Sequence, residues 1–224
     1  MNIFLRTLSF LGGGLCHQKI ERTFSIDSLN MPVCSRCTGI YLGILLSLLA
    51  LILIERKIKG EFPPLKIVLI AVGVFLIMGL DVVLSTIGLI QSSNIIRMIT
   101  GFMTGWFMVL LLFSLANNSM FKKFVRKNYL DNWKKLFIWL AAGAAGAVLF
   151  IFTYKYAIIF WAMLSVLGLL AFVTLILFIL FFSLNRRLLG SIDSWKKYMA
   201  AIAVGIISSG VLLTLFSYLR RFLI

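Results

Sequence analysis

Charge is scarce in this chain. Only 13% of its 224 residues are charged and 62% are hydrophobic, which excludes an ordinary soluble domain, where about a quarter of the residues are charged. Acidic residues are scarcer still, seven against 22 Lys and Arg, and of these only Asp81 falls inside a long apolar run. Histidine occurs once, as His17, and cysteine three times. No low-complexity segment, internal repeat or stretch of soluble composition interrupts the chain, so residues 1–224 read as one membrane domain. The net charge of +15 does not mark a nucleic-acid binder, because the cations sit in short clusters between apolar runs, where they anchor helices and meet anionic lipid. The absence of C-x-x-C-H disfavours covalent haem attachment, since the motif present reads CSRCT.

What the chain has is hydrophobic length. A spanning helix needs about 20 mostly apolar residues. Six runs approach or exceed that length, at 38–54, 67–90, 95–116, 136–153, 157–184 and 198–219, the first and fourth short and the fifth long. The fourth and fifth are separated only by TYKY, and their combined length demands a turn near Lys155. The leading stretch MNIFLRTLSFLGGGL is too short to span and is read as interfacial or re-entrant. The fold class is therefore all-α: a polytopic integral membrane protein of about six transmembrane helices, with an N-terminal polar segment carrying Cys and His. Residues 16–105 carry the motifs with the first three spans, and residues 106–224 supply the other three.

Counting Lys and Arg in the connections orients these spans. Fourteen lie in the three longer loops, ERKIKGEFPPLK, SMFKKFVRKNYLDNWKK and NRRLLGSIDSWKK, and eight on the other side. The longer loops are thus predicted to face the cytoplasm. The Cys/His segment is then expected on the extracytoplasmic side of the cell membrane.

All three cysteines and the histidine fall within CHQKIERTFSIDSLNMPVCSRC, residues 16–37. Clustering of this kind points to metal or thiol chemistry. Cys34 and Cys37 have the C-x2-C spacing that lets two sulfurs grip one ion, and Cys16 with His17 would complete a Cys3His zinc site. Adjacent residues point apart in an extended chain, so both 16 and 17 can ligate only if the backbone turns there. If one alone ligates, an open position remains for water. Arg22 and Arg36 would balance the negative charge of such a centre. A second reading is a thiol-disulfide oxidoreductase using Cys34 and Cys37, with Arg36 lowering a thiol pKa. A third is a small-molecule or lipid transporter whose cysteines staple a lid over a path lined by Asp81, Gln91, Asn94 and Arg97.

An ionisable residue in a spanning helix is costly unless paired, which makes Asp81 in FLIMGLDVVLST a functional candidate. Its expected partner is Arg97 or Arg36. Arg97, Thr100 and Thr104 share one helical face. GxxxG steps at Gly39/Gly43 and Gly101/Gly105 lie near the same ends of the first and third runs, where small residues let helices approach closely. Those two helices are expected to pack there.

CHQ, ERTF and PVCSRCTGIYLG, followed by LD and QSSNIIRMITGFMTG, together resemble the signature of the domain-of-unknown-function 2085 family of prokaryotic predicted membrane proteins. The likeness covers residues 16–105 and implies a membrane location and a motif rather than an activity. Position by position it singles out Cys16, His17, Gln18, Arg22, Pro32, Cys34, Arg36, Cys37, Thr38, Gly39, Tyr41, Asp81, Asn94, Arg97, Thr100 and Gly101. The combined expectation is a zinc site of Cys16, His17, Cys34 and Cys37 above a polar pocket. In that pocket Asp81 and Arg97 would act catalytically and Arg22, Arg36, Asn94 and Thr100 would bind an anionic small-molecule or lipid substrate. The bilayer is the expected surrounding, with no nucleic-acid partner and the oligomeric state left open.

Overall fold

The computed structural model describes residues 3–26, 29–55, 59–121, 125–185, 192 and 194–223. Arg56, Lys57, Lys122, Lys123, Arg186 and Arg187, which weigh in the loop count above, lie outside the described residues. A short helix α1 (Ile3–Gly13) leads through a 3-10 turn (Ile20–Arg22) into a small antiparallel hairpin, β1 (Ser25–Ile26) and β2 (Leu29–Asn30). Then come α2 (Ser35–Glu55), strand β3 (Lys59–Glu61), α3 (Leu65–Thr86), α4 (Asn94–Met120) and strand β4 (Val125–Asn128). Helices α5 (Trp133–Thr153), α6 (Ile158–Leu184) and α7 (Trp195–Leu223) complete the chain.

Helices α2 to α7 are each long and apolar enough to cross a bilayer, as the six runs predict. The two runs that look short become helices of 21 residues because polar residues at their ends, such as Arg36 and Lys134, join the first turns. The second run stops early instead: α3 ends at Thr86, and Gly88 follows with φ of 79°, a left-handed conformation that turns the chain out of the helix. Starts are set by local chemistry. Ser93 caps α4 by accepting from the Ile96 N–H at 3.3 Å, and Asn132 caps α5 by accepting from the Lys134 N–H at 3.1 Å. Lys155 sits in the break between α5 and α6, where the turn is expected.

The centre of the bundle is the pair α2 and α4, flanked by α5 and α6; α3 packs on α4, and α7 on α6 and α1. The α2/α4 contact is built by the two GxxxG steps. A Cβ on Gly39 would collide with the Met98 carbonyl, and one on Gly105 with the Ile40 carbonyl, so only glycine permits this backbone approach. Lower down, the Ser47 hydroxyl donates to the Trp106 carbonyl at 2.9 Å and accepts from the Trp139 indole N–H at 3.2 Å, tying α2, α4 and α5 together. The outer helices α3, α5 and α7 expose rows of Leu, Ile, Val and Phe, the surface a bilayer would cover.

α2 carries polar chemistry to both ends of the bundle, about 30 Å apart at 1.5 Å per residue. Its start bears Cys34, Arg36 and Cys37. Its end bears Glu55, which accepts from Lys59 at 2.7 Å, Lys135 at 3.0 Å and the Leu130 N–H at 2.8 Å. There β3 and β4 pair in parallel, and the buried Tyr129 hydroxyl accepts from the Lys59 N–H at 3.0 Å and the Asn117 amide at 2.9 Å.

Candidate functional site

The segment between α1 and α2 forms a cap over one end of the bundle, held by side chains more than by regular structure. Gln18 sits at φ 51°, unusual for a residue with a side chain. Its amide keeps it there, donating to the Ser9 carbonyl at 2.5 Å and the Pro32 carbonyl at 2.7 Å, and so clamps the two ends of the cap. The hairpin returns the chain, and Phe24 plugs it into the bundle against Phe150 and Tyr154, with ring centroids 5.4 and 4.9 Å away. The Ser35 hydroxyl closes the loop by donating to the Arg22 carbonyl at 2.8 Å.

This folding brings Cys16, Cys34 and Cys37 together, with their sulfurs all within 4.8 Å of one another. Zn–S bonds of about 2.3 Å in tetrahedral geometry place sulfurs about 3.8 Å apart, so the group needs only a small contraction to hold one ion. All three are free thiols. Cys16 Sγ accepts backbone N–H bonds from Cys34 at 3.2 Å and Gln18 at 3.4 Å, the kind of support that stabilises charge on a sulfur ligand. Cys34 stands at the N-terminus of α2. Hydrogen bonds from Cys16 and Cys37, aided by the backbone N–H groups of Cys37 and Arg36, hold its thiol well below the usual range. The same sharing with Cys34, together with burial, pushes the Cys16 thiol up. Of these two thiols Cys34 thus gives up its proton the more readily.

His17 does not join the three sulfurs. Its side chain is exposed, and it lines a cavity of about 270 Å³ with Lys19, Arg22, Cys34, Arg36 and Arg97. The reason is the alternation anticipated for neighbouring residues: with Cys16 turned into the core, His17 faces outward. Asp81, from α3, pairs with the Arg36 guanidinium rather than lining the cavity; the two side chains are 10% and 15% exposed. Arg97, in the first turn of α4, faces the cavity, and its Nε is buried without a hydrogen-bond partner, as is that of Arg36. Asn94 donates to the Thr23 carbonyl at 3.4 Å and fixes the cap to α4. Thr100 turns its hydroxyl to the Arg97 carbonyl of its own helix at 3.2 Å and does not reach the cavity. Tyr41 is buried against Phe172 of α6, one turn below Cys37.

One contributor escapes sequence reasoning. Arg220, near the end of α7, donates to the carbonyls of Gly13 at 3.1 Å, His17 at 2.8 Å and Cys16, and so holds the turn that aims Cys16 inward. In the sequence it is one of a terminal pair of cations, and nothing local ties it to residue 16, some 200 positions earlier.

The predicted membrane protein family DUF2085 matches residues 16–111. An uncharacterized protein of Methanocaldococcus jannaschii is 34% identical over 110 residues, which is 49% of this chain and 69% of the relative. Another uncharacterized protein, from Methanothermobacter thermautotrophicus, is 38% identical over 91 residues, 41% of this chain and 78% of the relative. No solved structure matches the chain. The matched region holds the whole cap from Cys16 onward, α2, α3 and most of α4, and with two relatives covered over more than two thirds of their length, this chain belongs to the DUF2085 family of predicted membrane proteins.

Proposed function

We propose that this protein binds one zinc ion through Cys16, Cys34 and Cys37 at the extracytoplasmic face of the membrane, and that the ion and the adjacent cavity act together on an anionic small-molecule or lipid-borne substrate. The observation that carries the reading is the convergence of three sulfurs within 4.8 Å on a clamped cap. Thiolates are soft ligands suited to zinc, and three protein ligands leave a fourth position open, the pattern of zinc sites that do chemistry rather than only staple a fold. Bound zinc would supply Lewis-acid polarisation of a substrate oxygen. Arg22, Arg36 and Arg97 would bind and orient an anionic group; Asp81, engaged by Arg36, would position that guanidinium instead of serving as a free base. His17 and Lys19 would sit at the mouth of the cavity. The extracytoplasmic assignment is supported by the bias of Lys and Arg toward the opposite loops.

The test is elemental analysis with thiol counting on detergent-purified full-length protein, wild type and Cys34→Ser. About one zinc per chain, lost in a variant that keeps its helical circular dichroism, is the expected result. Absence of metal, with two thiols appearing only after reduction, would overturn it in favour of a Cys34/Cys37 disulfide and thiol-disulfide exchange, a reading that the lowered Cys34 thiol also suits. Labelling of intact cells with an impermeant maleimide reads the side in a separate experiment: protection in intact cells with labelling after lysis would reverse the orientation.

A further inference from the structure

The cavity beside Cys34 gathers more positive charge than its surroundings balance. Its arginines come from three separate elements: Arg22 from the 3-10 turn, Arg36 from the first turn of α2 and Arg97 from the first turn of α4. Lys19 and His17 complete the polar wall. Asp81 pairs with Arg36, whereas Arg22 and Arg97 make no ion pair among the described residues. The Nε atoms of Arg36 and Arg97 are both buried and unpartnered. A buried donor without an acceptor is costly, and two of them on arginines that line one cavity favour an acceptor supplied from outside.

The larger groove between α1 and α7, about 560 Å³, is also lined by arginines but differs in this respect. There Arg220 is committed to three backbone carbonyls and Arg221 lies over the Phe10 ring, 5.0 Å from its centroid. Arg6 lines that groove as well, but among the described residues the groove holds no buried guanidinium N–H without a partner, whereas the smaller cavity's arginines hold two.

We infer that this cavity binds a doubly charged oxyanion of the phosphate monoester type, gripped by Arg22, Arg36 and Arg97 beside Cys34. The inference rests on the zinc reading for its charge count. Zinc on three thiolates carries a net single negative charge and Asp81 another, while Lys19, Arg22, Arg36 and Arg97 supply four positive charges, leaving two to be balanced. A phosphate monoester, with a second pKa of about 6, brings close to two negative charges at neutral pH and three strong acceptor oxygens, enough for the free N–H groups of several guanidinium forks. A phosphodiester or a carboxylate brings one charge and falls short. The cavity lies where α2 and α4 begin, at the boundary expected between bilayer and water, so the monoester is reachable as free phosphate or as the headgroup of a lipid.

The test uses full-length protein in detergent with its zinc content measured, titrated with inorganic phosphate and with dimethyl phosphate as the singly charged control. In a second arm the protein is exposed to phosphatidylcholine vesicles with or without phosphatidic acid, and retained lipid is counted by native mass spectrometry. Phosphate or phosphatidic acid is expected to bind at least ~10-fold more tightly than the diester, and Arg97→Gln to weaken that binding by about tenfold or more with zinc content unchanged. Arg22→Gln provides the same reading should Arg97→Gln fail to fold. Binding of phosphatidic acid alone identifies a lipid source; binding of both identifies a site open to solvent. Zinc present with neither probe bound overturns the oxyanion site and leaves the metal centre standing. Phosphate bound by protein without zinc does the reverse. Equal binding of phosphate and dimethyl phosphate, or indifference to both arginine variants, also overturns the inference.

Discussion

At the Glu55 end of the bundle two acidic and two basic side chains close on one another; at the Cys34 end four cations face a single carboxylate. Both ends bury charge, but only one satisfies it. Glu55 is 1% exposed and accepts from two lysines and a backbone N–H, and Lys59, 5% exposed, also donates to the Asn128 carbonyl at 2.9 Å. Asp131 accepts from Lys59 at 3.4 Å and Lys135 at 3.2 Å. Burial acts to raise its carboxyl, but Lys135 and Lys59 outweigh it and hold the group below the ordinary range. By contrast Arg36 Nε, Arg97 Nε and Asn94 Oδ1 are buried at the other end with nothing to bond. The difference separates two uses of polar groups in a membrane bundle. A closed network needs no further partner and joins segments. An open one is incomplete until a ligand arrives.

Variants sharpen the comparison, beginning with the greatest effect. Glu55→Ala leaves Lys59 and Lys135 short of a counter-charge and the Leu130 N–H without an acceptor, so a loss of about 3–5 kcal/mol is expected. A midpoint shift of thermal unfolding in detergent would read it, with zinc content at the far end unaffected in the protein that remains folded. Tyr129→Phe removes the acceptor of the Lys59 N–H and the Asn117 amide while keeping the ring against Phe113, at an expected cost of about 1–3 kcal/mol by the same melt. Burial pushes the Tyr129 phenol up to about 12, so it stays neutral across the accessible pH range and its loss should cost the same at pH 6 and pH 8. Arg97→Gln is expected to cost less than either, about 1 kcal/mol or below, because it breaks no hydrogen bond or ion pair among the described residues and loses only the attraction between Arg97 and Asp81. A loss from Arg97→Gln as large as that from Glu55→Ala would break the contrast and make the cationic end structural as well.

The Cys34 end was the more readable of the two in the sequence. Its residues are chemically rare in an apolar chain: three cysteines, one histidine, an acidic residue inside a span and two GxxxG steps. The Glu55 network left a fainter trace, an i,i+4 Glu and Lys pair at the edge of a run, easily taken for a loop cluster; its closure depends on Asp131 and Lys135, some 75 to 80 positions on. Asp81 had two candidate partners in the sequence, and only the placement of α3 in the bundle selects Arg36. Thr100 shares a helical face with Arg97 on paper, yet a threonine inside a helix finds its own backbone carbonyl nearer than the cavity.

By itself the sequence determined the membrane class, the six spans and the close pairing of α2 with α4. Those follow from local quantities, since apolar length sets a span and the lack of a Cβ sets how near two backbones can come. Only the tertiary structure decided that Cys16 and not His17 meets Cys34 and Cys37, that Arg220 holds the turn which makes this so, and that three arginines face one cavity with donors to spare. These are matters of direction. Which way a side chain points is set by contacts between segments distant in the chain, and residue type and spacing carry no record of them.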